Sequence, residues 1–333
     1  MPRRSDRKPP PPVGDTTDPR GLGALGETFL RSLQERHFSW RTLKNRRYDL
    51  AHFIAWLKDR DIHRPADVTR EILERYRTHV FHEVRVRDQK PRSAEAQVAR
   101  LVVVKTLFAW LVRRNQLLAN PASELDLPKV PRRLPRNVLS VEEAERVMAE
   151  PDVNEPLGVR NRAILEVLYS TGMRRGELIA LKLDDIDAVR GTLLIREGKG
   201  KKDRMIPIGE RALQWVQKYV DDSRPSLAAV AGDDDGTLFL SSWGGPLGDN
   251  TVTMLVRNYV NDAGVKKGAC HMFRHTMATQ MLEHGADVRF IQAMLGHEDL
   301  STTQIYTKVA ILKLKQVHSQ THPAEIGRGS DDK

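Results

Sequence analysis

The chain has 333 residues, 40% hydrophobic and 29% charged, which is enough for two domains with apolar cores and excludes a disordered or fibrous protein. Lysine and arginine total 54 against 44 acidic residues, and the formal net charge of +10 favours a polyanionic partner such as nucleic acid. Because Cys270 is the only cysteine, an intrachain disulfide and a cysteine-cluster zinc site are both excluded.

The first third of the sequence predicts a polar tail and then a helical domain. Residues 1–20 are rich in proline and charge, so we expect a tail that buries little apolar surface. They lack the apolar segment of a signal peptide, and no stretch approaches the ~18 apolar residues of a membrane span, so we expect a cytoplasmic protein. Residues 21–120 carry apolar stripes at helical spacing opposite basic faces, which predicts four helices. One stripe consists of Leu50, Phe53, Ile54 and Leu57.

Prolines mark a linker between this domain and a second one. Between residues 121 and 138, Pro128, Pro131 and Pro135 each follow an apolar residue and alternate with arginines, so the chain there should be extended. We expect the second domain at residues 139–320 and a short tail at 321–333.

The second domain is predicted to be mostly helical with a small β-hairpin. Ser140 and Glu143 have capping-box spacing, and residues 160–169 follow as a helical stretch. Residues 192–195 and 205–208 are β-prone runs separated by a segment rich in glycine and lysine, which is typical of a hairpin with a basic tip. The fold class is therefore mainly α (α+β).

Two segments of this domain offer guanidinium groups for binding a phosphate. Residues 171–178 read Thr-Gly-Met-Arg-Arg-Gly-Glu-Leu, where Arg174 could donate a two-pronged hydrogen bond and Glu177 could support it or cap the next helix. Further on, His271 and Arg274 are three residues apart, so a helix would place them on one face.

The last motifs predict a short buried helix and a positioned tyrosine. Apolar residues recur from 288 to 295, and Gly296 is suited to end that helix in the left-handed conformation, which would fix the direction of His297. Ser301 and Gln304 again have capping-box spacing, so a new helix should begin there with Tyr306 in its second turn.

These motifs together resemble the tyrosine recombinases of the phage integrase family, most closely the Xer-type site-specific recombinases. The features that match are Thr-Gly-Met-Arg, a Gly-Lys-Gly hairpin, His-x-x-Arg-His, Leu-Gly-His, and a tyrosine nine residues after that last histidine. They extend over roughly residues 22–320 in the family's order. The resemblance implies a catalytic site made of Arg174, Lys199, His271, Arg274, His297 and Tyr306.

The resemblance also implies a mechanism and partners. The two arginines would bind the non-bridging oxygens of a DNA phosphate, Tyr306 would attack its phosphorus, and His271 would accept the phenolic proton. Lys199 would protonate the leaving 5′ oxygen, with His297 on a phosphate oxygen or assisting proton transfer, and no metal or nucleotide cofactor is implied. The expected partners are double-stranded DNA with specific recombination sites and a homo- or hetero-tetramer assembled on it through a C-terminal exchange helix.

For the N-terminal domain, the resemblance implies a SAM-like core-binding bundle that contacts DNA. Its basic helix faces offer three candidate residues, although a solvated face accounts for each one taken alone. The candidates are Lys44, Arg100 and Lys105.

The sequence disfavours two other kinds of site, and two other kinds of protein are compatible with the motifs. The Gly198–Gly200 loop lacks the spacing of a nucleotide-binding P-loop. Cys270, His271 and His275 lack further metal ligands nearby in the sequence. A type IB topoisomerase, which cuts one strand without exchange, and a non-catalytic DNA-binding protein with the same fold are the two alternatives that stay open.

Overall fold

A computed structural model describes residues 11–85, 88–131, 138–196, 203–232, 234–265 and 268–296. The chain divides into two compact units, Met1–Arg132 and Arg133–Lys333. Each unit has its own apolar core. In the described ranges, no helix has both the length and the apolar character needed to cross a bilayer.

The N-terminal unit contains the four predicted helices. They are α1 (Leu22–Glu35), α2 (Trp40–Lys58), α3 (Arg70–His82) and α4 (Ala94–Arg113). The side chains of Ser39, Thr69 and Ser93 each accept a hydrogen bond from a backbone N–H of the first turn that follows. These bonds satisfy donors that a helix start would otherwise leave without a partner, and so they define where α2, α3 and α4 begin.

Aromatic rings form the centre of this N-terminal core. Phe53 of α2 lies edge-on to Tyr76 of α3, with ring centroids 4.7 Å apart, and to Phe108 of α4 at 6.2 Å. Such edge contacts add to the stabilisation that burial provides. The stripe predicted around Leu50 and Leu57 is therefore the face through which α2 contacts its neighbours, and both leucines are fully buried.

Two segments that flank the predicted helical domain also pack on its core. Val13, in the predicted tail, is buried, and its N–H donates to Glu27 Oε1 at 2.9 Å. Ala122 and Leu125, in the predicted linker, are buried in the same core. Ordered packing thus begins before residue 21 and continues past residue 120, because single apolar residues in a polar segment can still be buried.

The second unit is mostly helical, as predicted. Its helices are α5 (Val141–Ala149), α6 (Pro156–Thr171), α7 (Arg175–Ala180), α8 (Glu210–Lys218), α9 (Arg224–Ala231), α10 (Asp249–Asp262), α11 (Cys270–Glu283) and α12 (Val288–Leu295). A five-residue π-helical stretch joins α8 to α9. The predicted capping box is present, because Ser140 Oγ accepts from Glu143 N and Glu143 Oε2 accepts from Ser140 N.

Helix α6 is the central element of this unit. It packs against α5, α8 and α11, and every residue from 163 to 168 is buried. A helix covered on all sides needs apolar residues around most of its circumference, which Ala163, Ile164 and Leu168 help to provide. It ends at Gly172 with φ 58°, so the Thr-Gly-Met-Arg motif is the C-terminal end of a core helix.

A three-stranded antiparallel sheet lies beside these helices. The strands, in spatial order, are β1 (Ile186–Asp187), β2 (Thr192–Ile195) and β3 (Arg204–Pro207). The predicted hairpin is confirmed, with its second strand beginning one residue earlier, and Ile195 is paired with Arg204. Strand β1 was not predicted, because two residues are too few to show an alternating pattern.

Candidate active site

The turn between α6 and α7 holds Arg174 beside a buried carboxylate. Arg174 Nη1 donates to Glu177 Oε1 and the Arg174 backbone N–H donates to Glu177 Oε2, both at 2.8 Å. Burial raises the pKa of Glu177, but hydrogen bonds from Arg204 and Arg174 outweigh burial and hold it below the ordinary value. Glu177 is therefore an anion that fixes Arg174, as the sequence predicted.

Arg274 of α11 is held by the ends of two other helices. Its Nη1 donates to the carbonyl oxygen of Gly172 at 2.9 Å, and its Nη2 donates to that of Leu295 at 2.7 Å. The residue is only 4% exposed. Because the last carbonyls of a helix carry partial negative charge, the C-terminal ends of α6 and α12 can stabilise this buried cation.

Arg174 and Arg204 reach the same end of α12. Arg174 Nη2 donates to the carbonyl oxygen of Gly296 at 3.3 Å, and Arg204 Nε donates to that of Met294 at 3.1 Å. Together with Arg274 on Leu295, three guanidinium groups contact three successive carbonyls. One helix end thus gathers positive charge from α11, β3 and the α6–α7 turn.

Glycine is required at both helix ends that anchor these arginines. Gly172 and Gly296 have φ of 58° and 61°, in the left-handed region where side chains are strained. A Cβ on Gly172 would lie 2.3 Å from Cε of Met277, and a Cβ on Gly296 would lie 3.0 Å from Cζ of Arg204. The two predicted motif glycines therefore provide both the turn and the space for neighbouring side chains.

His271 lies in the first turn of α11, near these cations, and its side chain reaches the surface. Desolvation by the surrounding protein, followed by the positive charges of Arg274, Arg175 and Arg174, lowers its pKa below the ordinary value of 6.5. The imidazole is therefore neutral at pH 7, in the form that can accept a proton.

Arg175 points away from the Arg174 cluster. Its Nε lies 3.3 Å from Asp249 Oδ1 and its Nη1 donates to Thr253 Oγ1, so it contacts α10. Of these two adjacent arginines, Arg174, the predicted phosphate-binding candidate, is the one that contacts Glu177 and the end of α12.

Chemically, this arrangement suits an anion that passes through a more highly charged state. Guanidinium groups held by a carboxylate and by helix carbonyls are oriented before a substrate arrives, so little reorganisation is needed when negative charge develops. A neutral imidazole beside them can take up a proton. The described part of the chain contains no group of three or more histidine, cysteine or acidic residues that could hold a metal ion.

Comparison with known proteins identifies the family. Residues 137–312 match the sequence model of the phage integrase family. The tyrosine recombinase XerC 2 of Ralstonia nicotianae is 46% identical over 318 residues, which cover 93% of this chain and 90% of the relative. The chain belongs to the phage integrase family. It is a tyrosine recombinase, an enzyme of site-specific DNA recombination.

Other relatives agree in sequence and fold. The tyrosine recombinase XerD of Proteus mirabilis is 36% identical over 300 residues, 89% of this chain and 92% of the relative. The crystal structure of the XerH site-specific recombinase bound to a palindromic difH substrate, a post-cleavage complex, has the same fold. That similarity has a TM-score of 0.66 at 21% identity and covers 88% of this chain and 83% of the other.

Of the six residues predicted for the recombinase site, three lie in described regions. The structure holds Arg174 and Arg274 at the C-terminal end of α12, and the charges of both arginines act on His271. The other three, Lys199, His297 and Tyr306, lie outside the described residues. For these three the assignment is still a prediction from the motifs.

Sequence reasoning missed Arg204, which it counted as part of the basic hairpin tip. The structure places Arg204 at the first position of β3, with a side chain only 14% exposed, where it is bonded to Glu177 and α12. No local sequence pattern distinguishes it from the other basic residues of that segment. The only available signal was Glu177, since a buried carboxylate needs partners for both oxygens.

Arg100 does not fit its predicted role in DNA contact. It is 1% exposed, and its Nη1 donates to Glu83 Oε2 and to His52 Nε2. Burial, together with the charge of Arg100, lowers the pKa of His52 to about 4, so the ring is neutral and can accept this bond. We therefore withdraw Arg100 as a DNA-contact candidate: it links α4 to α2 and to the residue that follows α3.

The two lysine candidates in this unit differ in their surroundings. Lys105 Nζ donates to the carbonyl oxygens of Ser123 and Leu125 at 3.0 and 2.8 Å, so it holds the segment after α4. Lys44 is exposed on α2, with Nζ 5.9 Å from the ring centroid of Trp40. Of the three predicted residues, Lys44 is the one whose charge faces solvent.

Proposed function

We propose that this tyrosine recombinase cleaves and rejoins DNA at specific sites by transesterification, with Tyr306 as the nucleophile. The phenolic oxygen attacks the phosphorus of a backbone phosphodiester and forms a 3′-phosphotyrosyl bond. The bond from phosphorus to the 5′ oxygen breaks, and that oxygen takes up a proton. Attack by a 5′ hydroxyl from another strand reverses the chemistry and exchanges the strands through a Holliday junction.

The observation that carries this proposal is the pair of guanidinium groups at the end of α12. Arg174 and Arg274 are held on the neighbouring carbonyls of Gly296 and Leu295, so their groups lie close together. Two oriented guanidiniums can neutralise the charge that gathers on the non-bridging oxygens during phosphoryl transfer. His297 follows this helix end directly in the sequence, and Tyr306 comes nine residues after His297.

Proton transfer is the second requirement of the reaction. A free phenol has a pKa of about 10, so Tyr306 needs a base or a strongly cationic environment to become a nucleophile. His271 suits this role, since its lowered pKa leaves it neutral at pH 7. We assign protonation of the leaving oxygen to Lys199, and a supporting role at the phosphate to His297.

The energy of the broken phosphodiester is kept in the phosphotyrosyl bond, so the cycle needs no ATP. The arginines supply the positive charge that metal ions supply in other phosphoryl-transfer enzymes, so we expect activity in the presence of chelators. The relatives named XerC and XerD support a role in recombination between specific DNA sites. We expect a homo- or hetero-tetramer on two such sites, linked through the apolar C-terminal stripe that includes Ile311 and Leu314.

A DNA substrate that traps the intermediate tests the nucleophile. A nick placed close to the scissile phosphate releases a short fragment after cleavage, so religation fails and the covalent complex accumulates. We expect the wild-type chain to form a protein–DNA adduct that survives denaturing electrophoresis, and Tyr306→Phe to form none. Tyr259→Phe is the control, since Tyr259 OH accepts a hydrogen bond from Asn161 and has no predicted part in the reaction, so the adduct should persist. An adduct with Tyr306→Phe would refute the assignment.

The same assay separates the alternatives. Exchange of strands between two duplexes supports recombination, whereas relaxation of supercoiled DNA without exchange would favour a topoisomerase. If a host-derived target DNA is bound tightly and shifted in a gel but no covalent adduct forms, the chain would be a DNA-binding protein without catalytic activity.

A further inference from the structure

We propose that Arg204 is a positioning residue for the reaction, acting on the phosphate through Glu177 and Arg174. This inference rests on the proposed function. Arg204 is outside the six residues that the motifs predict, and its side chain, 14% exposed, is directed into the protein. It contacts the carboxylate that holds Arg174 and the helix end that holds both predicted phosphate-binding arginines.

Each carboxylate oxygen of Glu177 accepts one hydrogen bond from Arg174 and one from Arg204. Oε1 accepts from Arg174 Nη1 at 2.8 Å and from Arg204 Nη1 at 3.0 Å. Oε2 accepts from the Arg174 backbone N–H at 2.8 Å and from Arg204 Nη2 at 2.9 Å. The contact of Arg204 is therefore a two-pronged arginine–carboxylate pair, the strongest and most directional form of this interaction.

This sharing decides how much positive charge Arg174 can offer to a phosphate. A buried carboxylate with Arg174 as its only cationic partner would draw that guanidinium fully into an ion pair. With Arg204 taking two of the four hydrogen bonds, Glu177 can orient Arg174 without neutralising it. The pair of arginines around one carboxylate keeps a net positive charge, which favours an anionic substrate.

Arg204 also supports the end of α12. Its Nε donates to Met294 O, and its guanidinium carbon lies 3.0 Å from the position that a Cβ on Gly296 would occupy. The side chain therefore lies against the residue whose carbonyl accepts from Arg174. Loss of Arg204 would leave both the carboxylate and the helix end less constrained, and Arg174 depends on each of them.

The test compares cleavage of charged and uncharged linkages by Arg204→Gln and Arg204→Lys. Each protein is assayed in single-turnover cleavage of the nicked substrate with an ordinary phosphate or with a neutral methylphosphonate at the scissile position. We expect both variants to cleave the phosphate on the order of 10²-fold more slowly at saturating DNA, with DNA affinity within about threefold of wild type. Lysine restores little, because it cannot make the two-pronged contact.

The neutral substrate distinguishes positioning of Arg174 from a general structural role. A methylphosphonate has one negative charge fewer than a phosphate diester, so less charge has to be stabilised by Arg174 and the penalty of Arg204→Gln should fall to within about tenfold. Arg190→Ala is the control, since it removes an arginine that is 77% exposed in the β1–β2 turn, and its rates should match wild type. Thermal unfolding confirms that every variant is folded at the assay temperature.

Four results would overturn the inference. An equal penalty on both linkages would indicate a general structural role, and a fall in DNA affinity would place the defect in binding rather than in the cleavage step. Recovery with a sulfur leaving group would place the defect at proton donation. A wild-type rate for Arg204→Gln would also reject it while leaving the proposed function intact. Failure of the wild-type chain to form any adduct would instead reject the proposed function.

Discussion

Desolvation and the charges around His271 set the protonation state on which the proposed reaction depends. Three arginines, Arg274, Arg175 and Arg174, lower its pKa in addition to desolvation. Each arginine has a different structural role: Arg274 and Arg174 contact α12, whereas Arg175 contacts α10. The pKa of the base can therefore be altered without removing a phosphate-binding group.

Arg175→Gln should shift the pH dependence of cleavage. Loss of this cation raises the pKa of His271, so the neutral form that accepts a proton is populated only at higher pH. We expect the acidic limb of the single-turnover cleavage rate to move to higher pH, by a modest amount because solvent screens the charge. Cleavage measured between pH 5 and 8 with saturating DNA checks this.

Arg190→Ala serves as the charge-matched comparison for this pH profile, since it also removes one positive charge from the second unit. Its acidic limb should coincide with that of the wild type. A limb that stays in place with Arg175→Gln, or that moves to lower pH, would show that His271 does not set the profile.

Two helices of the second unit end where the predicted phosphate-binding arginines are anchored. The carbonyls of Gly172 and Leu295 accept from Arg274, and that of Gly296 accepts from Arg174. Because a left-handed glycine follows the last helical residue of α6 and of α12, these carbonyls are exposed to side chains rather than to a further helical turn. The backbone that ends the two helices thus also anchors Arg174 and Arg274.

Gly172→Ala should lower both stability and activity. The left-handed backbone costs about 1–2 kcal/mol with a Cβ, and the new methyl group would meet Met277 Cε at 2.3 Å in the buried core. We expect the free energy of unfolding to fall by roughly 2–4 kcal/mol. Cleavage should slow by at least about tenfold, since one of the two carbonyls that hold Arg274 is displaced. Urea denaturation and single-turnover cleavage measure the two effects.

Gly232→Ala is the matched control for this substitution. Gly232 ends α9 with φ 71°, and a Cβ there would meet nothing within 4 Å. It should lose about 1–2 kcal/mol from strain alone and keep wild-type cleavage. Equal losses of activity in the two variants would show that the end of α6 has no specific effect on the site.

Local features of this fold could be predicted from the sequence, whereas convergence between distant residues could not. The helices and the hairpin follow from periodicity over a few turns, and Gly296 was recognised as a helix end from its neighbours alone. Arg100 was misjudged because a basic stripe on a helix looks the same whether it is solvated or paired with a carboxylate outside that helix. Arg204 was missed for the same reason, since its partners lie 27 and 90 residues away.

For the whole molecule, the formal charge of +10 favours attraction to DNA, but it does not show which residues contact the DNA. Many arginines and lysines are engaged in internal pairs, such as Arg47 with Glu27 and Arg224 with Asp234. A cation in such a pair contributes to the long-range field but releases few counterions when DNA binds. The salt dependence of binding therefore separates cations that contact phosphates from those that hold the fold.

Lys44 and Lys105 provide that comparison within one unit. Lys44→Ala should weaken DNA binding and reduce the slope of log affinity against log salt by about 1, because an exposed lysine on a phosphate releases one counterion. Lys105→Ala should leave the slope unchanged and lower the free energy of unfolding by about 1–2 kcal/mol, since it removes two hydrogen bonds to backbone carbonyls. Fluorescence anisotropy measures the slopes over a salt range of about 50 to 300 mM, in which most of the loss of affinity is expected. If the two variants exchange these behaviours, the DNA-facing surface of the helical bundle lies on the side of α4 and not on that of α2.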